Sequence, residues 1–150
     1  MASPFDLRTV LLAKHAQHVV LIHFPIALFL TGFAFDLTAG WRRSSSFGTV
    51  AYYNVILAGI TVIPTVLTGL LAWRWELGGR RLYGVLLMHL SCALAAAVLI
   101  LVSAYLHWLD RADPGSEKRT RRLPVEFAAT VLVTAAAHLG GFVSGVNGTF

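Results

Sequence analysis

Six histidines carry most of the chemistry this sequence can offer. Three of them, His15, His18 and His23, stand at the front of KHAQHVVLIHFPIALFLTGFAFD, residues 14–36, a run otherwise apolar enough to cross a bilayer. His89 and His107 share a second long uncharged run, and His138 sits inside another. An ionisable group placed in hydrocarbon costs free energy, so its default meaning is functional. Neutral imidazole is the commonest metal ligand and the axial ligand of b-type haem. Haem, or a bare copper or zinc ion, is therefore the chemistry these residues allow. The single cysteine, Cys92, excludes an intrachain disulfide, a CxxC pair, an all-cysteine iron–sulfur cluster and covalent c-type haem. Any redox group must be held another way.

The elements that position these histidines follow from composition. The chain has 150 residues, 57% hydrophobic and 13% charged, with a mean hydropathy of +0.70. That places it in a bilayer. Four uncharged intervals exceed the 20 or so apolar residues a helical span requires. The predicted spans are 15–37, 50–74, 82–109 and 125–146. Residues 1–14 lack the basic region, apolar run and cleavage site of a signal peptide, and read as a short amphipathic lead-in with Leu7, Val10 and Leu11 at helical spacing. WRRSSS, ELGGRR and DRADPGSEKRTRRLP connect the spans, the last reading as a solvated loop with an Asp-Pro-Gly turn. Short connections make successive helices antiparallel neighbours. The expected fold is a single domain over residues 1–150: an all-α membrane protein whose four transmembrane helices form an antiparallel up-down-up-down bundle.

With four spans both termini share one side of the membrane, here side A, together with the 75–81 loop. Side A carries Arg8, Lys14, Arg74, Arg80 and Arg81, and side B carries Arg42, Arg43, Arg111, Lys118, Arg119, Arg121 and Arg122. Seven against five favours a cytoplasmic side B and termini outside the cytoplasm. The net charge of +5 thus reports topology and calls for no nucleic acid.

Odd spans run from A to B and even spans run back, so depth can be read along the chain. His23, His89 and His138 fall about nine, seven and eight residues inside side A, depths that agree to roughly 3 Å. Three helices thereby contribute one imidazole each to one layer. At 100° per residue, His89, Ala93, Ala96, Ile100, Ser103 and His107 share a stripe on the third span. Phe127, Val131, Thr134, His138, Gly141 and Gly145 share one on the fourth, and both stripes carry the small residues expected of inward faces. The second span offers Thr61, Thr65, Thr68 and Ala72, with Pro64 able to kink it and Gly69 able to leave room. Two imidazoles on opposite faces of a porphyrin need more than the roughly 8–10 Å between adjacent helices, which suits a bundle diagonal. The first and third spans are diagonal, so His23 and His89 are the expected axial pair, with His138 nearby and Gly141 leaving space for a flat group. A copper or zinc site on His23, His89 and His138 is the alternative from the same layer.

Other residues carry weaker signals. His18 lies about 140° around the helix from His23 and meets the layer if Pro25 distorts the turn, or else meets a haem propionate at the surface. His15 reads as interfacial. His107 shares the His89 stripe but lies about 27 Å toward side B, with no other histidine near it. Asp36 is expected in a solvated ion pair with Arg42 or Arg43. Arg74, Arg80 and Arg81 ring side A, where they suit propionates or lipid phosphates equally. Trp41, Trp73, Trp75 and Trp108 mark span ends as an aromatic belt. Asn147-Gly-Thr149 matches a glycosylation sequon. Lys14 and Lys118 lie outside the span cores, so no retinal Schiff base is available, and the few acidic groups in the spans argue against a dedicated ion pump.

His18, His23-Phe-Pro-Ile-Ala-Leu28, Gly32-Phe-Ala-Phe-Asp36, Pro64, Thr68-Gly-Leu70, Trp73, His89, and His138-Leu-Gly-Gly141 with Gly145 together resemble the bacterial four-span family catalogued as domain of unknown function 2231. The resemblance covers nearly the whole chain and departs from the family's pattern at Val19, where proline is frequent, and near Ser144, where an aromatic is. It implies a multi-pass protein of the bacterial inner (cytoplasmic) membrane, and relatives beside Rieske and cytochrome domains imply redox company. The expected function is a membrane-anchored haem b subunit carrying electrons between quinol and redox protein subunits on the terminal side. The alternatives are a non-enzymatic accessory subunit of a respiratory or photosynthetic complex and the copper or zinc protein.

Overall fold

A computed structural model describes residues 14–75, 77–111 and 116–145 of the chain. They form four helices: α1 (Lys14–Arg42), α2 (Ser45–Trp75), α3 (Gly84–Asp110) and α4 (Ser116–Val143). All four are long and apolar enough to cross a membrane. Helix is the form expected here, because each span must satisfy its own backbone hydrogen bonds where no water is present. The turns are tight. Arg43 adopts a left-handed φ of 50°, and the Ser44 amide donates to the Ala39 carbonyl at 3.1 Å, the six-to-one bond of a Schellman stop. Trp73 Nε1 donates to the Arg80 carbonyl at 3.0 Å and closes the turn between α2 and α3.

Each helix packs on its sequence neighbour, and α1 closes on α4, which makes α1 and α3 diagonal as expected. Cross-helix contacts pair early residues with late ones, so the bundle runs up-down-up-down. The lead-in at Leu7, Val10 and Leu11, the sequon at Asn147 and the His15 side chain lie outside the described residues. The core is built from small and branched side chains: Phe29, Val55, Ala58, Val62, Ala96, Ala97, Ile100, Ala129 and Val133. Small residues let backbones approach, which drives association where lipid offers no hydrophobic gain. A Cβ on Gly32 would lie 2.7 Å from Val55 Cγ2, and one on Gly59 would lie 2.8 Å from Ala104 Cβ.

Burial is uneven along the membrane normal. In α3 no residue before Ala96 is buried, and in the described part of α4 none after Ala136 is. The closed core thus occupies the middle and the side B half, while the side A half is thinly covered.

Two expectations change. The charged run after the third span is helical from Ser116, with Pro124 inside α4, rather than a loop throughout. The arginines of this run find buried carboxylates, which repays ordering them as helix. The fourth helix is also turned differently. Phe127 and Val131 are 62% and 53% exposed, and Thr134 and His138 are exposed with them, whereas Arg122, Glu126, Ala129, Val133 and Ala136 are buried. The Thr134 hydroxyl bonds the Thr130 carbonyl of its own helix at 2.9 Å, so it faces outward at little cost and its polarity misreports the inward face. The stripes expected on α2 and α3 do face inward.

Candidate functional site

The side A histidines are anchored mainly by backbone. Pro25 has no N–H, which frees the Leu21 carbonyl of α1, and Thr65 Oγ1 of α2 donates to it at 3.3 Å. The Thr65 carbonyl in turn accepts His18 Nδ1 at 3.2 Å, and Thr68 Oγ1 lies 3.3 Å from the same nitrogen. The His18 ring fills the space beside Gly69, where a Cβ would meet Cε1 at 2.8 Å. Gly69 therefore makes room for a histidine of this chain. On the diagonal helix, His89 Nδ1 donates to the Ala136 carbonyl at 2.9 Å, and its ring lies against Gly140. His23, expected to face inward, is exposed and lies about 200° of helix from the buried Pro25, so it points away from the core. Its Nδ1 donates to the Val19 carbonyl, one turn back in its own helix, at 2.7 Å. His18 is the α1 histidine that faces inward.

These bonds have a chemical consequence. A carbonyl has no hydrogen to give, so the nitrogen facing it is the protonated one, and in a neutral ring the lone pair sits on Nε2. The backbone thus orients His23 and His89 as imidazoles are oriented when the other nitrogen serves as a ligand.

The remaining side A residues are placed as follows. His138 is exposed, packs edge-on to Phe142 with centroids 5.1 Å apart, and follows Ala136 by about 200° of helix, so it faces away from His89. Gly141 is half-buried, and its carbonyl accepts Ser144 Oγ at 3.1 Å. Arg74, Arg80 and Arg81 are exposed at the side A end. The imidazoles of His23, His89 and His138 do not converge. Among the described residues one trio of potential ligand side chains does, and it is elsewhere.

That trio is Asp36, His107 and Glu126, whose ligand atoms lie within 4.8 Å of one another in the side B half. Asp36 and Glu126 are 0% exposed and His107 is 3% exposed. His107 Nε2 lies 2.7 Å from Glu126 Oε1. Asp36 Oδ1 accepts Arg119 Nε at 3.1 Å, and Arg122 Nη2 reaches both Asp36 oxygens at 3.3 Å. Arg122 Nη1 donates to Asp110 Oδ2 at 2.8 Å. Asp36 is therefore buried, and its partners are Arg119 and Arg122 in place of the solvated pair expected with Arg42 or Arg43. Arg42 instead stacks over Trp41, 5.2 Å from the ring centroid. A carboxylate without water needs fixed charge, and the α4 arginines supply it from within the bundle.

His107, expected to stand alone, has Glu126 as its partner. Glu126 escaped sequence reasoning because it follows the basic run and reads as the edge of a loop. One signal was available: Arg122, Glu126 and Ala129 follow helical spacing into the Ala-rich face.

A family model described as Predicted membrane protein (DUF2231) matches residues 14–149, and the chain belongs to that family. No curated protein and no solved structure matches it.

Proposed function

We propose that this member of the DUF2231 family is a membrane-anchored subunit that binds b-type haem with His23 and His89 as the axial ligands. In this reading it carries electrons between a quinol pool and a redox protein on side A. The observation behind the reading is the anchoring of both histidines by Nδ1 to backbone carbonyls at 2.7 and 2.9 Å, which leaves Nε2 with a lone pair. The two stand on diagonal helices in the thinly covered half, and the reading requires α1 to turn His23, which is exposed on its outer face, toward His89 when haem binds. Bound haem supplies a reversible one-electron centre at that depth. The chain's own residues orient the ligands: Val19 and Ala136 fix the rings, and Gly140 leaves His89 space. His18 and His138 flank the same half, and Arg74, Arg80 and Arg81 offer positive charge to propionates at its mouth. Protein purified from haem-replete cells should give a reduced-minus-oxidised Soret and alpha-band spectrum that weakens in His23→Ala and His89→Ala. A colourless, haem-free preparation ends this reading.

The thin cover of the side A half favours a second reading, in which another subunit of a respiratory or photosynthetic complex packs there and the histidines bond across helices. The protein would then co-purify with that complex, and His89→Ala would reduce assembly without removing a spectral band.

Sidedness decides which partner receives the electron. The seven-to-five excess of Lys and Arg supports a reading in which side B faces the cytoplasm of a bacterial cell and the termini lie outside its inner membrane. In a Cys92→Ala background, cysteines at Ser45 and Ser116 should resist a membrane-impermeant thiol reagent in intact cells, while one at Thr149 reacts. The opposite labelling pattern would move the redox partner to the cytoplasmic face.

A further inference from the structure

We propose that the buried side B cluster is a second site, in which Asp36, His107 and Glu126 hold one divalent first-row transition ion. Their ligand atoms lie within 4.8 Å of one another. Side-chain shifts of under about 1 Å would bring them onto an ion with bonds of about 2.0–2.2 Å. One imidazole and two carboxylates form a nitrogen and oxygen donor set suited to zinc or manganese, with no soft sulfur ligand to favour copper(I).

Unmet hydrogen-bonding capacity is the independent observation. Glu126 is 0% exposed and uses Oε1 alone; Oε2 has no hydrogen-bond partner. Ser103 Oγ is buried without a partner one turn inward of His107, and Thr130 Oγ1 is the same one turn inward of Glu126. Buried polar groups left unmet cost free energy, and in native proteins such groups face water or an ion. An ion on Glu126 with a water beneath it uses the free carboxylate oxygen and gives both hydroxyls a partner.

Charge points the same way. Among the described residues the cluster sets three carboxylates, Asp36, Asp110 and Glu126, against two guanidiniums, Arg119 and Arg122, with the His107 imidazole between them. An unbalanced negative charge in a low-dielectric interior attracts a cation. The arginine bonds to Asp36, at 3.1 and 3.3 Å, are longer than the roughly 2.7–2.9 Å of strong charge-assisted pairs. The arginines therefore act as outer partners that orient Asp36, and its oxygens keep lone pairs for the ion. Bound there, the ion pins α1, α3 and α4 together at the side B end.

The experiment uses the full chain in detergent, stripped with chelator and then loaded separately with Zn2+ and Mn2+. After removal of excess ion, metal per chain is measured by elemental analysis and the unfolding midpoint by circular dichroism. About one ion per chain, a raised midpoint, and loss of both in Glu126→Gln and in His107→Ala support the site. Failure of the wild-type chain to retain either ion overturns it and leaves the cluster an ion-pair lock alone. Retention in both variants, with loss in His23→Ala and His89→Ala, also overturns it by moving the ion to side A. Because the haem spectrum depends on His23 and His89, the two sites succeed or fail separately.

Discussion

The two halves of the bundle hold their ionisable side chains by opposite means. At side B, Asp36, Arg119, Arg122, Asp110, His107 and Glu126 answer one another across three helices, and the central members are sealed from solvent. At side A, His18, His23 and His89 each give Nδ1 to a backbone carbonyl, in a region with few buried neighbours. Side-chain pairing spends most of the polar capacity of the groups on the fold, so removing one member strands the others. Backbone anchoring spends one nitrogen on orientation and leaves the second for a ligand. The first arrangement makes a lock, with Glu126 Oε2 left over for the proposed ion, and the second makes a holder.

The largest test of that contrast is Asp36→Ala, which takes the buried carboxylate from Arg119 and leaves Arg122 with Asp110 alone. Removing one partner of a buried ion pair costs about 3–5 kcal/mol, so thermal unfolding in detergent should show the greatest loss of stability here. A variant as stable as the parent would show that these pairs do not tie α1 to α4.

His89→Ala should cost far less, about 1 kcal/mol for one neutral hydrogen bond to Ala136, while removing the haem spectrum. If it destabilises the chain as much as Asp36→Ala, the side A histidines are structural and the contrast between halves fails.

Gly140→Ala should have the smallest effect. The new Cβ would stand 3.1 Å from His89 Cε1. The far end of the ring can swing aside, so the cost stays below the roughly 1–3 kcal/mol of true overpacking. A displaced alpha band with little change in unfolding midpoint is the expected result, and an unmoved band would show that Gly140 does not set the ring's position.

Span number, alternation and the diagonal placing of α1 and α3 were legible because each depends on local properties: apolar run length, loop shortness and chain direction. The facing of α3 was legible too, since Ala96, Ile100, Ser103 and His107 form one small and polar stripe. The facing of α4 was not, because Thr134 and Gly141 mimic a packing face while Ala129, Val133 and Ala136 mimic a lipid-facing one. In a membrane, hydrophobicity no longer separates inside from outside, so helix rotation leaves little trace in composition.

By itself, then, the sequence determined a four-helix membrane bundle. The tertiary structure alone decided who meets whom. Asp36 reaches arginines 83 and 86 positions away and passes over Arg42 and Arg43. His107 finds Glu126, and His18 turns to Gly69 on α2. The physical reason is that a buried charge pays for its desolvation only through a partner at hydrogen-bond distance. That distance is set by the rotation and close approach of whole helices, which no local stretch of the chain encodes.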